Sequence, residues 1–331
     1  MRGVASALAF VAAGLAAGSR AGDAPLLRQV GSASLPGVKG RLDHMAVDLK
    51  GQRLFLAAIG NDSVEVVDLA AGKWAARIEG LQRPQAVFFV PELDRLFVTN
   101  RGSEGASVFQ ASSFRPIGQV TLRENQDNLR YDPSERRLYV GCGGAENGAL
   151  AIVDALKGDK LAEVPLAGHP EGFELEALGQ RVFINVPAAA CVQVVHLAKR
   201  AVVANWPLGE ARGNFPMALD EENGRLFVGC RAPARLLVMS AQDGKVVATL
   251  PCVADVDEVF YDARSKRIYA TGGGGSVAVF TQLGPDLYKV LGRVPTLPGA
   301  RTALYVAETR TLYVAAPAAQ GRDAAILILK P

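Results

Sequence analysis

Short hydrophobic runs recur along the chain at a nearly constant spacing. Each run joins an aliphatic residue, an aromatic residue and a β-branched or small residue, and turn-forming residues flank it. The seven runs begin at Leu54, Leu96, Leu138, Val182, Leu226, Ile268 and Leu312, so successive runs are 42 or 44 residues apart. This period, with several short strands in each unit, is typical of β-propeller blades. The aliphatic, aromatic and β-branched pattern of the runs, with turn residues at both ends, excludes a solenoid of helix pairs. The pattern predicts an all-β, seven-bladed β-propeller.

Each repeat divides into four predicted strands, named a to d from the centre of the ring outwards. In the first repeat these are residues 45–48, 54–57, 64–68 and 74–78, and the turns between them contain Gly, Asn or Asp. Such residues tolerate the positive φ of tight hairpins. An acidic residue follows strand a in five repeats, where we expect it to bind backbone N–H groups of the turn: Asp48, Asp132, Glu176, Asp220 and Asp262.

The last repeat lacks a fourth strand. It contains candidate strands at residues 303–305, 312–315 and 326–329, whereas residues 26–30 form a strand-like run without a blade of their own. We predict that this N-terminal run completes the last blade and closes the ring, which would remove two exposed sheet edges. Residues 25–331 are therefore predicted to form one propeller of four-stranded blades.

The repeated run resembles a known family. The segment from Leu96 to Asn100 reads Leu-Phe-Val-Thr-Asn, which is similar to the YVTN repeat of the seven-bladed, YncE-like propellers of bacterial and archaeal surfaces, and residues 128–132 and 259–262 resemble it too. The resemblance covers nearly all of the chain after its N-terminal segment and implies the propeller fold. It implies no activity, because most members of that family have no assigned reaction, and fold alone does not give function.

The N-terminal segment has the features of a secretory signal peptide. Arg2 precedes an apolar run over residues 4–17, and small residues follow up to Ala21. The run is too short to span a bilayer, so we predict a cleaved signal peptide over residues 1–21 and a periplasmic or secreted protein without a membrane span. The alternative is an N-terminal anchor or a buried helix.

Charge and cysteine content narrow the functional classes. The formal net charge is +3 with acids and bases interspersed, which argues against a nucleic-acid partner, since that would require a basic stripe. The four cysteines, Cys142, Cys191, Cys230 and Cys252, lack the CxxC spacing of a zinc or redox site. Disulfides among these cysteines, across blades three to five, and free buried thiols remain alternatives.

Polar residues precede each predicted innermost strand, in the loops that gather at one mouth of the central channel. Counting back eleven positions from each repeated run gives Asp43, Gln85, Asp127, Glu171, Phe215, Asp257 and Arg301. His44 and Asn128 come next in their loops, and His169 and Asn214 lie slightly earlier in theirs. Converging carboxylates repel and need a cation, a proton or an arginine nearby. We predict a polar, acidic ligand site here, formed by Asp43, Gln85, Asp127, Asn128, Glu171, Asn214, Asp257 and Arg301; the alternative is that these side chains cap turns or point to water.

Two kinds of chemistry fit such a mouth. Oxygen ligands from Asp43, Asn128, Glu171 and Asp257 would suit a divalent cation such as Ca²⁺. His44 or His169 could act as a general base beside the carboxylates, although a histidine near an acid is commonly only a hydrogen-bonded loop residue. Arg101, Arg231 and Arg301 could provide contacts to an anion.

Two main functional hypotheses follow. The first is an exported, monomeric binding or interaction protein that takes a small molecule or a protein partner at the channel mouth. The second is a divalent-metal-assisted hydrolase or lyase, similar in outline to lactonase-type propellers, although no motif of those enzymes matches residue by residue. The sequence contains no GxSxG, HExxH or P-loop motif, so it leaves open whether the protein is an enzyme. A scaffold acting through its outer surface is a third possibility.

Overall fold

The computed structural model describes residues 26–177 and 179–331. These residues form 28 strands in seven antiparallel sheets of four strands, and the sheets form the blades of a ring. The predicted seven-bladed propeller is confirmed. The predicted signal peptide lies outside the described residues. Among the helices of the described ranges, none has the length and apolar character needed to cross a bilayer.

Each blade contains the four strands a to d in sequence order, except the last. The a strands are Met45–Asp48, Pro84–Val90, Leu129–Asp132, Phe173–Leu175, Arg212–Asp220, Val256–Asp262 and Ala303–Val306. The b strands are Arg53–Ala58, Arg95–Asn100, Arg137–Cys142, Arg181–Val186, Arg225–Ala232, Arg267–Gly272 and Thr311–Ala316.

The two outer positions of each blade are filled in the same way. The c strands are Ser63–Asp68, Ala106–Gln110, Ala149–Asp154, Cys191–His196, Ala234–Ser240, Ser276–Gly284 and Ala324–Lys330. The d strands of the first six blades are Lys73–Ile78, Pro116–Val120, Lys160–Pro165, Ala201–Pro207, Val246–Pro251 and Leu287–Pro295. The described residues also form short 3₁₀ helices: Ile59–Asn61 and Pro187–Ala189 lie between b and c strands, and Pro91–Leu93 lies between the a and b strands of the second blade.

The N-terminal strand closes the ring. Arg28–Leu35 pairs antiparallel with Ala324–Lys330 and is the outermost strand of the seventh blade, as the sequence predicted. The strand begins two residues later than expected and continues to Leu35. The extension has a physical cause, because Ala33 and Leu35 alternate with exposed residues and are both buried against the last blade.

The hydrophobic core lies between neighbouring blades. The aromatic residue of every repeated run is buried: Phe55, Phe97, Tyr139, Phe183, Phe227, Tyr269 and Tyr313. In one such layer, Phe183 and Trp206 of the fourth blade pack with Leu226 and Val228 of the fifth. Each blade therefore covers an apolar face of the next one, so the stability of the ring depends on all of these layers.

The a-to-b turns lie on the side of the ring opposite the channel mouth, and they contain the acidic residues that the sequence placed there. Asp48 accepts a hydrogen bond from the Gly51 N–H at 2.8 Å, and Asp132 accepts one from the Ser134 N–H at 2.8 Å. Glu176, Asp220 and Asp262 also accept bonds from backbone N–H groups of their turns. These five carboxylates have the turn-forming role expected of them.

An arginine at the start of strand b links several blades to the next. Arg53 binds the Ala111 carbonyl at 2.7 Å, Arg95 binds the Ala155 carbonyl at 2.7 Å, and Arg181 binds the Ala241 carbonyl at 2.7 Å. In the fifth and sixth blades the equivalent arginines reach Asp286 and the Leu26 carbonyl. We call these contacts interblade arginine links.

The described residues show no such link at the junction of the third and fourth blades. Arg137 lies at the equivalent position, but within the described residues its ion pair is with Glu135 of its own blade, at 3.1 Å. The residue that would offer the carbonyl is Leu197, where the three blades with carbonyl links have alanine. At the junction of the seventh and first blades the position holds Thr311, which lacks a guanidinium.

Replacement of Arg181 tests the energetic contribution of a link. Arg181→Ala removes the bond to the Ala241 carbonyl, the ion pair with Glu176 and the contact over the Phe183 ring. We expect the free energy of unfolding to fall by about 1–3 kcal/mol, the range for hydrogen bonds to charged groups. The control is Arg137→Ala, which removes no link and should cost less than about 0.5 kcal/mol. Urea unfolding followed by circular dichroism measures both, and equal losses would show that the links contribute nothing.

The four cysteines are free and buried in the described structure. Of the two alternatives that the sequence left open, the structure has the free thiols. Burial raises the pKa of the thiols of Cys142 and Cys252 to about 11, which keeps them in the unreactive protonated form at neutral pH.

Candidate functional site

The loops before the a strands, together with the first residues of several a strands, meet at one end of the central channel and surround a cavity of about 170 Å³, which we call the mouth cavity. Its walls contain seven of the eight predicted ligand-binding residues, namely Asp43, Gln85, Asp127, Asn128, Glu171, Asp257 and Arg301, together with His44. The placement of these residues in one site was expected from their equivalent positions in the repeats.

The repeat fixes the backbone of this site. The N–H groups of Asp43, Asp127 and Glu171 donate to the carbonyls of Ala57, Gly141 and Asn185 at 2.8–2.9 Å, so each acid is attached to the end of strand b in its own blade. Bonds between neighbouring blades add to this, since the His44 N–H donates to the Gln85 carbonyl at 3.1 Å. The acidic side chains are therefore presented toward the channel from rigid elements.

Asp127 is the centre of a hydrogen-bonded network. Its side chain is 3% exposed and accepts bonds from the Gln85 Nε2 and from the Asn128 Nδ2, the latter at 3.2 Å. The Nε2 atoms of His44 and His169 each lie 3.4 Å from one of its two oxygens. Burial opposes ionisation, but the bonds from the two histidines outweigh it and hold the pKa of Asp127 below its usual value.

His44 lies between two carboxylates. Its Nδ1 donates to the Glu258 Oε1 at 2.9 Å, and its Nε2 faces Asp127. Burial alone would lower the pKa of His44, yet the facing carboxylates raise it well above its usual value. Burial also raises the pKa of Glu258, although the attraction of His44 opposes this. The facing carboxylates thus favour the charged form of His44, which does not favour the predicted role of general base.

His169 is oriented by the backbone. Its Nδ1 donates to the Gly143 carbonyl at 2.6 Å, which turns Nε2 toward Asp127 at 3.4 Å and Glu171 at 4.0 Å. Burial would lower the pKa of His169, but the bond to Asp127 raises it. Burial, followed by the negative charge of Asp127, raises the pKa of Glu171 to about 8. In the described residues no hydrogen bond is made to the Glu171 side chain.

The remaining predicted acids pair with arginines. Asp43 lies 2.8 Å from the Arg41 Nη2, and burial raises the pKa of Asp43 to about 7. Asp257 accepts a hydrogen bond from the Arg231 Nη2 and lies 3.7 Å from the Arg301 Nε. The Arg231 guanidinium also lies 3.6 Å above the Phe215 ring.

Arginines are as numerous as carboxylates in the walls, although the sequence predicted an acidic site. The five carboxylates are Asp43, Asp127, Glu171, Asp257 and Glu258, and the five arginines are Arg41, Arg101, Arg130, Arg231 and Arg301. The sequence reasoning missed Arg41 and Arg130. Arg130 stands on the third a strand, 3.4 Å from the Glu174 Oε1 on the fourth, so a pair of charges lies in the wall of the channel.

Not all predicted residues take part. Asn214 is fully buried beside the site, where its amide donates to the Asn185 Oδ1 and the Cys191 carbonyl at 2.9 Å, and it does not line the mouth cavity. Of the four predicted metal ligands, Asp43 and Asp257 pair with arginines, and Asn128 donates to Asp127. Among the described His, Cys, Asp and Glu residues, the group with ligand atoms within 4.8 Å of one another is Asp127, His169 and Glu171. The Ca²⁺ site stays a prediction.

Comparisons with known proteins identify the fold. The sequence matches no protein-family description and no curated protein. Three similar structures are a chain of Kuenenia stuttgartiensis hydrazine synthase (TM-score 0.76, 18% identity, 89% of this chain and 97% of the other), a chain of the mitotic checkpoint complex (0.77, 13%, 99% and 99%) and the WD40 repeats of RRP9 (0.78, 10%, 92% and 100%). At these identities the likeness extends to the fold alone. The protein therefore has the seven-bladed, WD40-like β-propeller fold.

Proposed function

We propose that the protein is an exported propeller of the YVTN type that binds a small organic anion in the mouth cavity. The observation that carries this proposal is the state of Arg101. In the described ranges no carboxylate lies within ion-pairing distance of its guanidinium, whose one side-chain hydrogen bond is a long one of 3.5 Å to the Gln85 Oε1. A guanidinium that faces a cavity without a counter-ion is a ready partner for a carboxylate or phosphate.

The pairing of the other charged residues also favours an anionic ligand. Asp43, Asp127, Asp257 and Glu258 each have an arginine or a histidine as partner. A cationic ligand would have to displace one of these internal cations. An anion would instead meet Arg101 directly and Arg41, whose side chain is 41% exposed.

The cavity sets the size of the ligand. A volume of about 170 Å³ is small compared with pockets for drug-sized molecules, which measure roughly 300–1,000 Å³. A small carboxylic acid fits better than a protein segment. The proposed ligand therefore carries one anionic group for Arg101 and a polar group that can reach Glu171, whose side chain lines the cavity.

The cellular setting is part of the proposal. Export rests on the signal-peptide features of residues 1–21 and on the YVTN-like run at residues 96–100. A monomeric, exported protein with a small polar cavity is suited to capturing a soluble metabolite outside the cytoplasm.

Thermal-shift measurements with a panel of small ligands test the proposal. Small carboxylates and inorganic phosphate are expected to raise the melting temperature of the wild-type protein, since a ligand that binds only the folded state stabilises it. Neutral amides and amines of the same size should not. Arg101→Gln should weaken binding of the best anion at least roughly tenfold, because a charge-assisted hydrogen bond is lost.

The control variant is Arg115→Gln, which changes an exposed arginine in a c-to-d turn outside the mouth cavity. Its affinity for the anion should equal that of the wild type. A panel in which only amines raise the melting temperature, or equal binding by Arg101→Gln and wild type, would overturn the proposal.

A further inference from the structure

We infer that Asp127, His169 and Glu171 form a binding site for a divalent transition metal on the wall of the mouth cavity. Asp127 and Glu171 line that cavity, so the inference deepens the proposed function by placing a metal beside the anion. It rests on a different set of contacts from those of Arg101, and the two can be tested separately.

The distances fit a shared ion. The Asp127 Oδ2 lies 3.4 Å from the His169 Nε2, and the His169 Nε2 lies 4.0 Å from the Glu171 Oε1. Tetrahedral coordination with bonds of about 2.1 Å separates ligand atoms by about 3.4 Å. The first pair already has this separation, and the second would close by roughly half an ångström, within the reach of a glutamate side chain that has no hydrogen bond in the described residues.

The surroundings of the three ligands match those of metal sites. A metal-binding histidine usually donates its other ring N–H to a carbonyl or carboxylate, and the His169 Nδ1 donates to the Gly143 carbonyl at 2.6 Å. Ligating carboxylates are themselves hydrogen-bonded, and Asp127 accepts bonds from Gln85 and Asn128. Gly143 and Gln85 lie outside the triad and orient its ligand atoms independently of one another.

The ligand set selects the class of metal. One imidazole and two carboxylates suit a borderline divalent ion such as Zn²⁺, whereas Ca²⁺ takes six to eight oxygen ligands. Three protein ligands leave at least one coordination position open toward the cavity, where water or the carboxylate of a bound anion could complete the shell. Such a metal would also supply the Lewis acid that the hydrolase or lyase alternative requires.

Metal binding to the full-length, folded protein is the decisive measurement. After chelator treatment and dialysis, isothermal titration with Zn²⁺ alone should give one site per chain, and Co²⁺ should give visible absorption bands of a low-symmetry site. His169→Gln and Glu171→Gln should each weaken Zn²⁺ binding at least roughly 100-fold, because each removes a direct ligand. His196→Gln, which changes the third histidine of the chain at the end of a c strand, should bind as the wild type does.

Circular dichroism of all variants shows whether each is folded, and variants that fold give interpretable affinities. Absence of a Zn²⁺ site in the wild type would overturn the inference, and so would wild-type affinity in a folded His169→Gln variant. Tight Ca²⁺ binding with no Zn²⁺ binding would also overturn it and would favour the oxygen-ligand site.

Repeating the anion panel with and without Zn²⁺ separates the two proposals. An anion-induced shift that persists in chelated protein, without Zn²⁺ binding, would leave the proposed function standing and the metal inference refuted. A Zn²⁺ site formed by Asp127, His169 and Glu171, with no anion-induced shift in chelated or Zn²⁺-loaded protein, would support the metal inference and refute the proposed anion binding.

Discussion

Leu35→Ala is expected to lower the free energy of unfolding by about 2–5 kcal/mol, the range for truncation of a buried leucine. Leu35 is 0% exposed at the end of the strand that closes the ring, where it pairs with Ala324 of the last strand. The loss comes from apolar area returned to water and from the cavity left in the core between the seventh and first blades. Chemical unfolding followed by intrinsic fluorescence measures it.

Val30→Ala is the matched control for this prediction. Val30 stands on the same strand but is 47% exposed, so its truncation should change the free energy of unfolding by less than about 0.5 kcal/mol.

Deletion of residues 26–35 should have a far larger effect, because it exposes the edge of Ala324–Lys330 and promotes aggregation. A deletion variant that stays monomeric with an unchanged melting temperature would refute the closing role of the strand.

Phe183→Ala is expected to cost about 3–5 kcal/mol, as for other buried phenylalanines. The ring is 0% exposed, stacks on Trp206 with ring centroids 5.6 Å apart, and carries the Arg181 guanidinium 5.0 Å from its centre. Truncation therefore removes both a core layer between the fourth and fifth blades and the support of an interblade arginine link.

A partly buried aromatic residue provides the comparison for Phe183. Phe88 lies on the second a strand with its ring 6.2 Å from that of Tyr131, and its side chain is less enclosed. Phe88→Ala should therefore cost clearly less than Phe183→Ala. Urea unfolding of both variants gives the two losses in free energy of unfolding. Equal losses would mean that the repeated aromatic position contributes no more to the stability of the ring than a partly buried aromatic residue does.

The repeat was sufficient to predict the ring, its closure and the convergence of the mouth loops. With a fixed period and one buried aromatic residue per unit, few arrangements other than a ring of blades cover the apolar face of every blade. The unpaired strand at the N-terminal end and the three-stranded last repeat leave two exposed sheet edges, and pairing them with each other removes both. Strand ends were less accurate, as with Arg28–Leu35, because they depend on which side chains find cover in a neighbouring strand.

The charge balance of the mouth cavity was harder to predict, although the sequence contains a signal for part of it. Seven residues of the a strands stand opposite the buried aromatic residues, and five of them are apolar: Ala46, Phe88, Ala218, Phe260 and Leu304. The other two are Arg130 and Glu174, in adjacent blades. Two opposite charges at an otherwise apolar position indicate a pair, and the structure forms it.

The side-chain orientations of Asn214 and His169 could not be predicted from their positions along the sequence. His169 precedes its a strand, whereas Asn214 lies within the a strand Arg212–Asp220 at an irregular point of the strand pairing, and its side chain turns to Asn185. His169 is turned into the site by a carbonyl of the preceding blade, that of Gly143. These contacts depend on the path of the backbone in the neighbouring blade, which spacing along the sequence does not reveal.

The missing arginine link at the third and fourth blades has a further consequence for how the ring moves. Asp127 belongs to the loop of the third blade, whereas His169 and Glu171 belong to the loop of the fourth. The triad therefore spans the same junction at which Arg137 pairs with Glu135 of its own blade. An ion bound by the triad would connect the two blades at a junction that has no interblade arginine link in the described residues. Binding of the ion would then slow amide hydrogen exchange in both blades, and the rate of local opening at the junction would set how fast the ion binds and dissociates.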